Sequence, residues 1–186
     1  MGQDLPVTSF ALLGLFTFGE DDRPQGLTGY ELKQLADATL RFYWVAPAMS
    51  QVYKELGRLA DHGLVSPSDD ERGTTYSITD AGRKALEVWM RETEPGFSVL
   101  KHPIALRLLL GHVVDPSATI AMLRKHLEAL DKEREALLEV RERLRGGDAP
   151  GQTFRHPSLV ADWGLEYFTH ERVIIEDLIR RISDDE

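Results

Sequence analysis

The sequence predicts a mostly α-helical protein, with an N-terminal winged helix-turn-helix that carries a two-stranded β-wing and an α-helical C-terminal dimerisation domain. An amphipathic helix ends at Gly63, where a left-handed C-cap is expected, and two strand-like runs follow it, Leu64-Val65 and Tyr76-Ser77-Ile78. The polar segment SDDERGTT between these runs suits the tip of a hairpin. A leucine heptad further along the chain predicts the helical second part.

Capping residues mark where the N-terminal helices begin. Thr28 with Glu31 three residues later predicts a capping box, and Pro47 suits the first turn of the next helix. Thr79-Asp80 supplies capping residues before the helical stretch AGRKALEVWM. The predicted helices are 8–18, with Thr8 or Ser9 as its N-cap, 28–40, 47–62 and the one after Thr79-Asp80.

A change of composition separates the two predicted domains. The stretch RETEPGFSVLKHP contains two prolines and a glycine, which places the boundary near Glu94 to Ser98, between a DNA-binding domain 1–94 and a dimerisation domain 95–186. A short helix is predicted from Pro103 to Leu110. A long helix is expected to start at Asp115-Pro116 and to run to about residue 144, and a last helix is expected to begin at Pro157.

The long helix carries leucines every seven residues, at 123, 130, 137 and 144, with Ile120, Leu127, Arg134 and Arg141 at the other seam position. A narrow apolar stripe needs a partner helix, either the last helix of the same chain or the same helix of a second subunit. The basic region of a leucine zipper is absent upstream, so we expect dimerisation by helix packing. The predicted dimerisation residues are Leu123, Leu127, Leu130, Leu137, Trp163, Tyr167, Ile174 and Leu178.

The composition is that of an ordinary globular chain. Its 186 residues contain no cysteine, which excludes disulfides, thiolate metal sites and cysteine nucleophiles and fits a cytoplasmic protein. The longest apolar run is too short to span a bilayer, and no signal peptide is recognisable, so no membrane partner is expected. The net charge of −9 opposes DNA binding, but the charges between Arg41 and Arg58 are three positive and one negative.

Four segments together resemble the PadR family of bacterial transcriptional regulators: ALLGLF (11–16), TGYELKQL (28–35), SQVYKELGRLADHGLV (50–65) and YSITDAGRKAL (76–86). The stretch LLLGHVVDPSATIAMLRKHLEALDKE is similar to the family's virulence-activator-type helical dimerisation domain. The resemblance implies a homodimeric repressor that binds a palindromic operator in double-stranded DNA. It also implies release by a small hydrophobic or aromatic effector. Two departures are Thr28, where the family often has His, and a wing tip whose only basic residue is Arg72.

The helix before the hairpin is the predicted DNA-reading element. Because Val52, Leu56 and Leu59 face inward, Ser50, Gln51, Lys54 and Arg58 are expected to face outward, with Tyr53 at the margin. Gln51 suits a bidentate contact to adenine, whereas Lys54 and Arg58 suit phosphates. Tyr30 suits either a phosphate or packing on the first helix, and Tyr76 suits the core. The predicted DNA-contacting residues are Tyr30, Ser50, Gln51, Tyr53, Lys54, Arg58, Arg72, Thr74 and Thr75.

Other site types have weaker sequence support. Phe42, Trp44, Trp89 and Phe97 are the candidates for an effector pocket between the domains, with simple packing as the alternative. The six histidines show no ligand spacing, so neither a metal site nor a cofactor is predicted, and chance solvated or capping histidines are expected. The absence of a nucleophile elbow argues against an enzyme. The alternative function is a winged-helix protein-interaction adaptor without specific DNA binding.

Overall fold

Four α-helices and a small antiparallel sheet form the described part of the N-terminal unit. The structure is a computed structural model that describes residues 5–18, 26–96 and 102–184. The chain divides into two units, Met1–Pro95 and Gly96–Glu186. Within the described residues, the first unit contains α1 Val7–Leu15, β1 Leu27–Thr28, α2 Gly29–Thr39, α3 Met49–Asp61, β2 Val65–Asp70, β3 Gly73–Ile78 and α4 Asp80–Glu92.

Helices α1 and α2 begin in different ways. The predicted N-cap of α1 at Thr8 or Ser9 is wrong, because the helix begins at Val7 and Ser9 is buried inside it. The predicted capping box of α2 is confirmed: the Thr28 hydroxyl accepts from the backbone N–H of Glu31 at 3.2 Å, and the Glu31 carboxylate accepts from the backbone N–H of Thr28 at 2.7 Å. This box fixes the first turn of α2.

Helix α3 ends as the sequence predicts but starts later than expected. Pro47 precedes the N-cap Ala48, so its predicted place in the first helical turn is wrong. Gly63 has a φ of +66°, and the backbone N–H of Leu64 donates to the carbonyl of Leu59 at 2.9 Å. The left-handed glycine lets the chain turn from α3 directly into β2.

The wing is longer than the sequence predicts. The segment SDDERGTT is mostly paired strand, and only Glu71 and Arg72 remain outside β2 and β3. The side chain of Thr74 donates to Asp69 across the pair at 2.8 Å, and that of Thr75 donates to the carbonyl of Ser68 at 3.0 Å. These cross-strand bonds explain why polar residues stay in the ladder.

The sheet also contains a strand that the sequence analysis missed. Strand β1 pairs with β3 in antiparallel register, so the strand order is β1-β3-β2. Pairing joins Leu27 to Tyr76 and Thr28 to Thr75. The start of α2 is therefore attached directly to the wing.

One apolar core fills the N-terminal unit. Trp89 of α4 stacks on Phe10 of α1, with ring centroids 5.0 Å apart, and Tyr76 packs against the same core, as predicted. The Thr79 side chain accepts from the backbone N–H of Gly82, which confirms the predicted cap of α4. The fully buried members include Leu12, Leu13, Leu32, Val52, Leu56 and Leu59.

The described part of the C-terminal unit is helical. It contains α5 Pro103–Leu109, a short 3₁₀ turn at Gly111–Val113, α6 Pro116–Arg143 and α7 Arg155–Asp184. Asp115 caps α6 by accepting from the backbone N–H of Ala118 at 2.9 Å, as predicted, whereas α7 begins at Arg155 rather than at Pro157. None of the described helices combines the length and the apolar character needed to cross a bilayer.

The heptad leucines of α6 are used inside the chain. Leu123 and Leu137 are fully buried and Leu130 nearly so, and α6 packs along α7. The prediction that these three leucines form the dimer surface is therefore wrong, because no apolar area remains on them for a second copy. The partner helix of the stripe is α7 of the same chain.

Shortening Leu137 to alanine should destabilise the C-terminal unit by about 2–5 kcal/mol, because the truncation leaves a cavity in a closed helix interface. Leu138→Ala is the matched control, since the neighbouring Leu138 is 40% exposed, and it should reduce the free energy of unfolding by less than about 1 kcal/mol. Urea unfolding followed by circular dichroism measures both losses. Equal losses for the two variants would contradict this packing.

Candidate nucleic-acid interface

The outer face of α3 carries a row of accessible polar side chains. Ser50, Tyr53 and Lys54 are exposed, and Gln51 is half-buried at the edge of the face. The inward-facing Val52, Leu56 and Leu59 are fully buried, as predicted. Helix α3 therefore presents hydroxyl, amide, phenol and ammonium groups on one side while its other side is closed.

A buried carboxylate lies beneath this face and was missed by the sequence analysis. Glu55 is fully buried, and its Oε1 accepts from Nε2 of Gln51 at 2.5 Å. Its Oε2 accepts from the guanidinium of Arg58 at 2.7 Å and from the hydroxyl of Ser9 on α1. The available sequence signal was helical spacing, since position 55 falls on the same face as Val52 and Leu59.

This carboxylate changes the roles of two predicted contact residues. Arg58 is an ion-pair partner of Glu55 and 31% of its side chain is exposed, so it lies at the edge of the outer face and its phosphate contact stays a prediction. Gln51 uses one amide hydrogen on Glu55, which leaves the second amide hydrogen and the carbonyl oxygen available. An amide in that state retains both groups that a bidentate adenine contact requires.

Two tyrosines stand beside a cleft of about 520 Å³ between the start of α2, α3 and the wing. Tyr30 is 58% exposed, which favours an accessible phenol over packing on the first helix, and Tyr53 is 52% exposed. The Tyr53 ring lies so close to Gly29 that a Cβ at that position would be 2.5 Å from its Cε1. Gly29 is therefore required for Tyr53 to lie against the start of α2.

The wing tip offers acidic rather than basic groups. Arg72 pairs with Asp70 at 2.8 Å and with Glu31 at 3.1 Å. Hydrogen bonds from Arg72 hold the pKa of Asp70 below its usual value, and the bond from the Thr28 backbone does the same for the pKa of Glu31. Thr75 is 2% exposed, so its predicted DNA contact is wrong because its hydroxyl is consumed inside the hairpin.

The aromatic residues predicted to line an effector pocket have separate environments. Trp89 belongs to the N-terminal core through its stack on Phe10. The guanidinium of Arg41 lies 4.4 Å from the ring centre of Phe42, whereas Trp44 is 55% exposed. Phe97 lies outside the described residues. The stacking of Trp89 favours the simple-packing alternative for that residue.

Helix α7 carries the accessible members of the predicted dimerisation set. Trp163, Tyr167 and Ile174 are exposed, and their spacing places them on one face of the helix. Leu127 and Leu178 are partly buried. An exposed apolar face of this kind is typical of an interaction surface.

Two histidines belong to a cluster that the sequence analysis did not predict, although His102 also caps α5, which is one of the roles expected for the histidines. The Nε2 atoms of His102 and His126 each lie 2.7 Å from Oε1 of Glu171, a carboxylate that is 9% exposed. The three side chains come from different helices, and 45 or more residues separate each histidine from the glutamate. Local spacing carried no signal of this cluster.

Comparison with known families gives two matches that follow each other along the chain. Residues 22–88 match the family described as "Transcriptional regulator PadR-like family". Residues 100–181 match the one described as "Virulence activator alpha C-term". A search of curated protein sequences finds no significant match.

Solved structures of transcriptional regulators have the same fold. Bacillus subtilis PadR in complex with operator DNA superposes with a TM-score of 0.80 at 21% identity, covering 95% of this chain and 99% of that chain. The complex of the same regulator with p-coumaric acid superposes with a TM-score of 0.76 at 21% identity, covering 96% of this chain and 99% of that chain. The Vibrio cholerae virulence activator AphA superposes with a TM-score of 0.72 at 20% identity, covering 96% of this chain and 99% of that chain. These proteins are regulators rather than enzymes.

Replacing Arg58 with alanine should destabilise the N-terminal unit by about 1–3 kcal/mol, because the buried Glu55 loses a charged donor. Lys54→Ala, one turn away on the exposed face, should change stability by less than about 0.5 kcal/mol. Urea unfolding of the two variants beside the unmodified chain tests this contrast. A loss for Lys54→Ala as large as that for Arg58→Ala would show that Glu55 does not depend on Arg58.

Proposed function

The chain carries a PadR-like transcriptional regulator domain followed by a virulence activator alpha C-terminal domain, and from this premise we propose that it is a homodimeric, sequence-specific DNA-binding repressor in the cytoplasm. Its operator is a palindrome in double-stranded DNA. A small hydrophobic or aromatic effector releases it. The observation that carries the proposal is the exposed polar face of α3, which is closed on its inner side and followed by a hairpin wing.

Helix α3 is the element that enters the major groove in this proposal. Gln51 is oriented by Glu55 and keeps one donor and one acceptor for an adenine edge. Ser50, one residue earlier and exposed, suits a base edge or a phosphate. Recognition of the DNA sequence therefore depends on the first turn of α3 in this proposal.

Phosphate contacts come from the margins of the same face. The ammonium of Lys54 and the phenols of Tyr30 and Tyr53 are all exposed. These groups fix the position of α3 on the duplex without reading sequence. The wing contributes little affinity, because Arg72 is held by two carboxylates and must leave them to reach a phosphate.

The dimer in this proposal forms through α7. This helix has an exposed apolar face formed by Trp163, Tyr167 and Ile174. The heptad leucines of α6 are instead buried within the chain. A two-fold axis repeats α3 in the second subunit, which places the two half-sites about one helical turn of DNA apart.

The effector part of the proposal is supported by the p-coumaric acid complex of Bacillus subtilis PadR. The C-terminal unit of this chain contains a cavity of about 300 Å³ beside α5 and α7, lined mainly by apolar residues such as Ile104, Leu108 and Leu178. This volume is at the lower end of the range of about 300–1,000 Å³ for small-molecule sites. A compact aromatic acid is the size class that fits.

A protein-interaction adaptor is the second candidate function. The acidic wing favours it, because Asp69, Asp70 and Glu71 are exposed and Arg72 is neutralised by ion pairs. The net charge of −9 points the same way. Such a protein would keep the winged-helix fold and use it to bind a basic partner.

The first test is fluorescence anisotropy with the DNA upstream of the chain's own gene and a shuffled duplex of equal length. Gln51→Ala should weaken binding to the upstream fragment by about 1–3 kcal/mol, and less on shuffled DNA, because it removes a base contact. Lys54→Ala should weaken both equally and reduce the slope of log K against log salt by about 0.9, because it removes one phosphate contact.

If Gln51→Ala weakens binding to the upstream and the shuffled duplex equally, Gln51 does not read a base. If the unmodified chain shows no saturable binding to any upstream fragment at low salt, the repressor proposal fails and the adaptor is favoured. Circular dichroism of each variant checks that the fold is retained.

The second test concerns the dimer. Trp163→Glu combined with Ile174→Glu should convert a dimer into a monomer of 21.0 kDa in sedimentation equilibrium, because two charges would be buried in the apolar contact. Thr169→Glu, an exposed position on another side of α7, is the control and should remain dimeric. A double variant that stays dimeric would contradict pairing through this face.

A further inference from the structure

One carboxylate oxygen of Glu171 lies within hydrogen-bond distance of two imidazoles, those of His102 and His126. These three side chains form a cluster. Each Nε2 lies 2.7 Å from Oε1 of Glu171, and the ring centres of the histidines are 5.6 Å apart in an edge-on arrangement. The three potential ligand atoms all lie within 4.8 Å of one another. His102 is the N-cap of α5, His126 belongs to α6 and Glu171 to α7.

DNA reading and pairing through α7 leave this cluster without a role. A buried carboxylate is costly unless it is paired, and apolar residues of similar size often fill a helix interface equally well. The polar cluster nevertheless joins three helices at a site where Glu171 is 9% exposed and both histidine side chains are about one-fifth exposed. The site is shielded from solvent but not sealed.

We propose that His102 Nε2, His126 Nε2 and one carboxylate oxygen of Glu171 bind a divalent transition-metal ion of the zinc class. Two imidazoles and a carboxylate are a ligand set that zinc accepts, with water at the fourth position. Calcium and magnesium are disfavoured because they prefer all-oxygen ligands. The chain has no cysteine that would compete for a soft ion.

The geometry needs only a small adjustment to receive the ion. Bonds of about 2.0–2.1 Å in a tetrahedron place ligand atoms about 3.3 Å apart. The two nitrogens therefore move away from the carboxylate oxygen by about half an ångström. Burial raises the pKa of Glu171, but hydrogen bonds from His126 and His102 outweigh this effect and lower it.

Neighbouring groups complete the site. The phenol of Tyr167 faces Glu171, and burial followed by the charge of that carboxylate raises the pKa of the phenol. Nδ1 of His102 now accepts from the backbone N–H of Ala105 at 3.4 Å, which is a long and therefore weak bond. Metal on Nε2 requires the proton on Nδ1, so binding exchanges this weak cap for a metal bond.

A bound ion would join α5 to the α6–α7 pair. The short helix α5 is otherwise poorly covered, with Leu106, Leu109 and Leu110 more than half exposed. Because metal binds only the folded arrangement, it raises the thermal stability of the C-terminal unit according to its concentration and affinity. The wall of the 300 Å³ cavity includes His102 and Glu171, so the ion would also border that cavity.

The test uses the full chain without an affinity tag. Titration with Zn²⁺ by calorimetry should show one saturable site per chain, and Co²⁺ should give the visible absorption of a four-coordinate ion. His126→Ala and Glu171→Gln should each weaken Zn²⁺ binding by more than about tenfold, since even outer-shell partners are worth about 10–100-fold. His112→Ala removes an exposed histidine of the same unit and should bind like the unmodified chain.

X-ray absorption spectroscopy of the unmodified chain loaded with Zn²⁺ does not depend on the variants folding. It should show two imidazoles and oxygen ligands around the ion. The proposal is overturned if no saturable Zn²⁺ binding occurs, if His126→Ala and His112→Ala bind alike, or if the spectrum shows no imidazole ligand. DNA binding is not a readout of this test, so failure here leaves the repressor proposal intact.

Discussion

The position and the outer face of the recognition helix α3 depend on one buried carboxylate, that of Glu55. A charge in the core is tolerated only when donors surround it, and here Ser9, Gln51 and Arg58 supply them. The bond to Ser9 ties α3 to α1, and the bond to Gln51 orients the amide that we expect to read a base. The bond to Arg58 engages a cation at the edge of the surface that we propose faces DNA. Stability and recognition are therefore coupled through one side chain.

A similar constraint decides how the C-terminal unit is used. Leu123, Leu130 and Leu137 are buried in the unit in which α6 packs on α7 of the same chain, so the proposed dimer has to use the opposite side of α7. Trp163 and Ile174 are both more than half exposed there, and grouped exposed apolar side chains are typical of an interaction surface. Helix α6 packs within the unit, and α7 is the helix through which we propose that two subunits pair.

Much of the fold could be predicted because its signals are local. The capping box at Thr28, the left-handed Gly63 and the cap at Asp115 each need only a few neighbouring residues. The features that could not be predicted depend on contacts between residues that are distant in sequence. Ser9 meets Glu55 across 46 positions, His102 meets Glu171 across 69, and β1 forms only because β3 lies beside it. The burial of Thr75 and the pairing of Arg72 likewise depend on the hairpin register.

Footprinting of the DNA upstream of the chain's own gene tests the central claim most directly. The account predicts a protected site with two-fold symmetry, whose half-sites lie about one helical turn apart because each subunit of the dimer inserts one α3. Protection should disappear as salt rises, since phosphate contacts supply the non-specific affinity. A folded, dimeric chain that protects no upstream sequence at low salt would contradict the claim that the exposed face of α3 reads DNA.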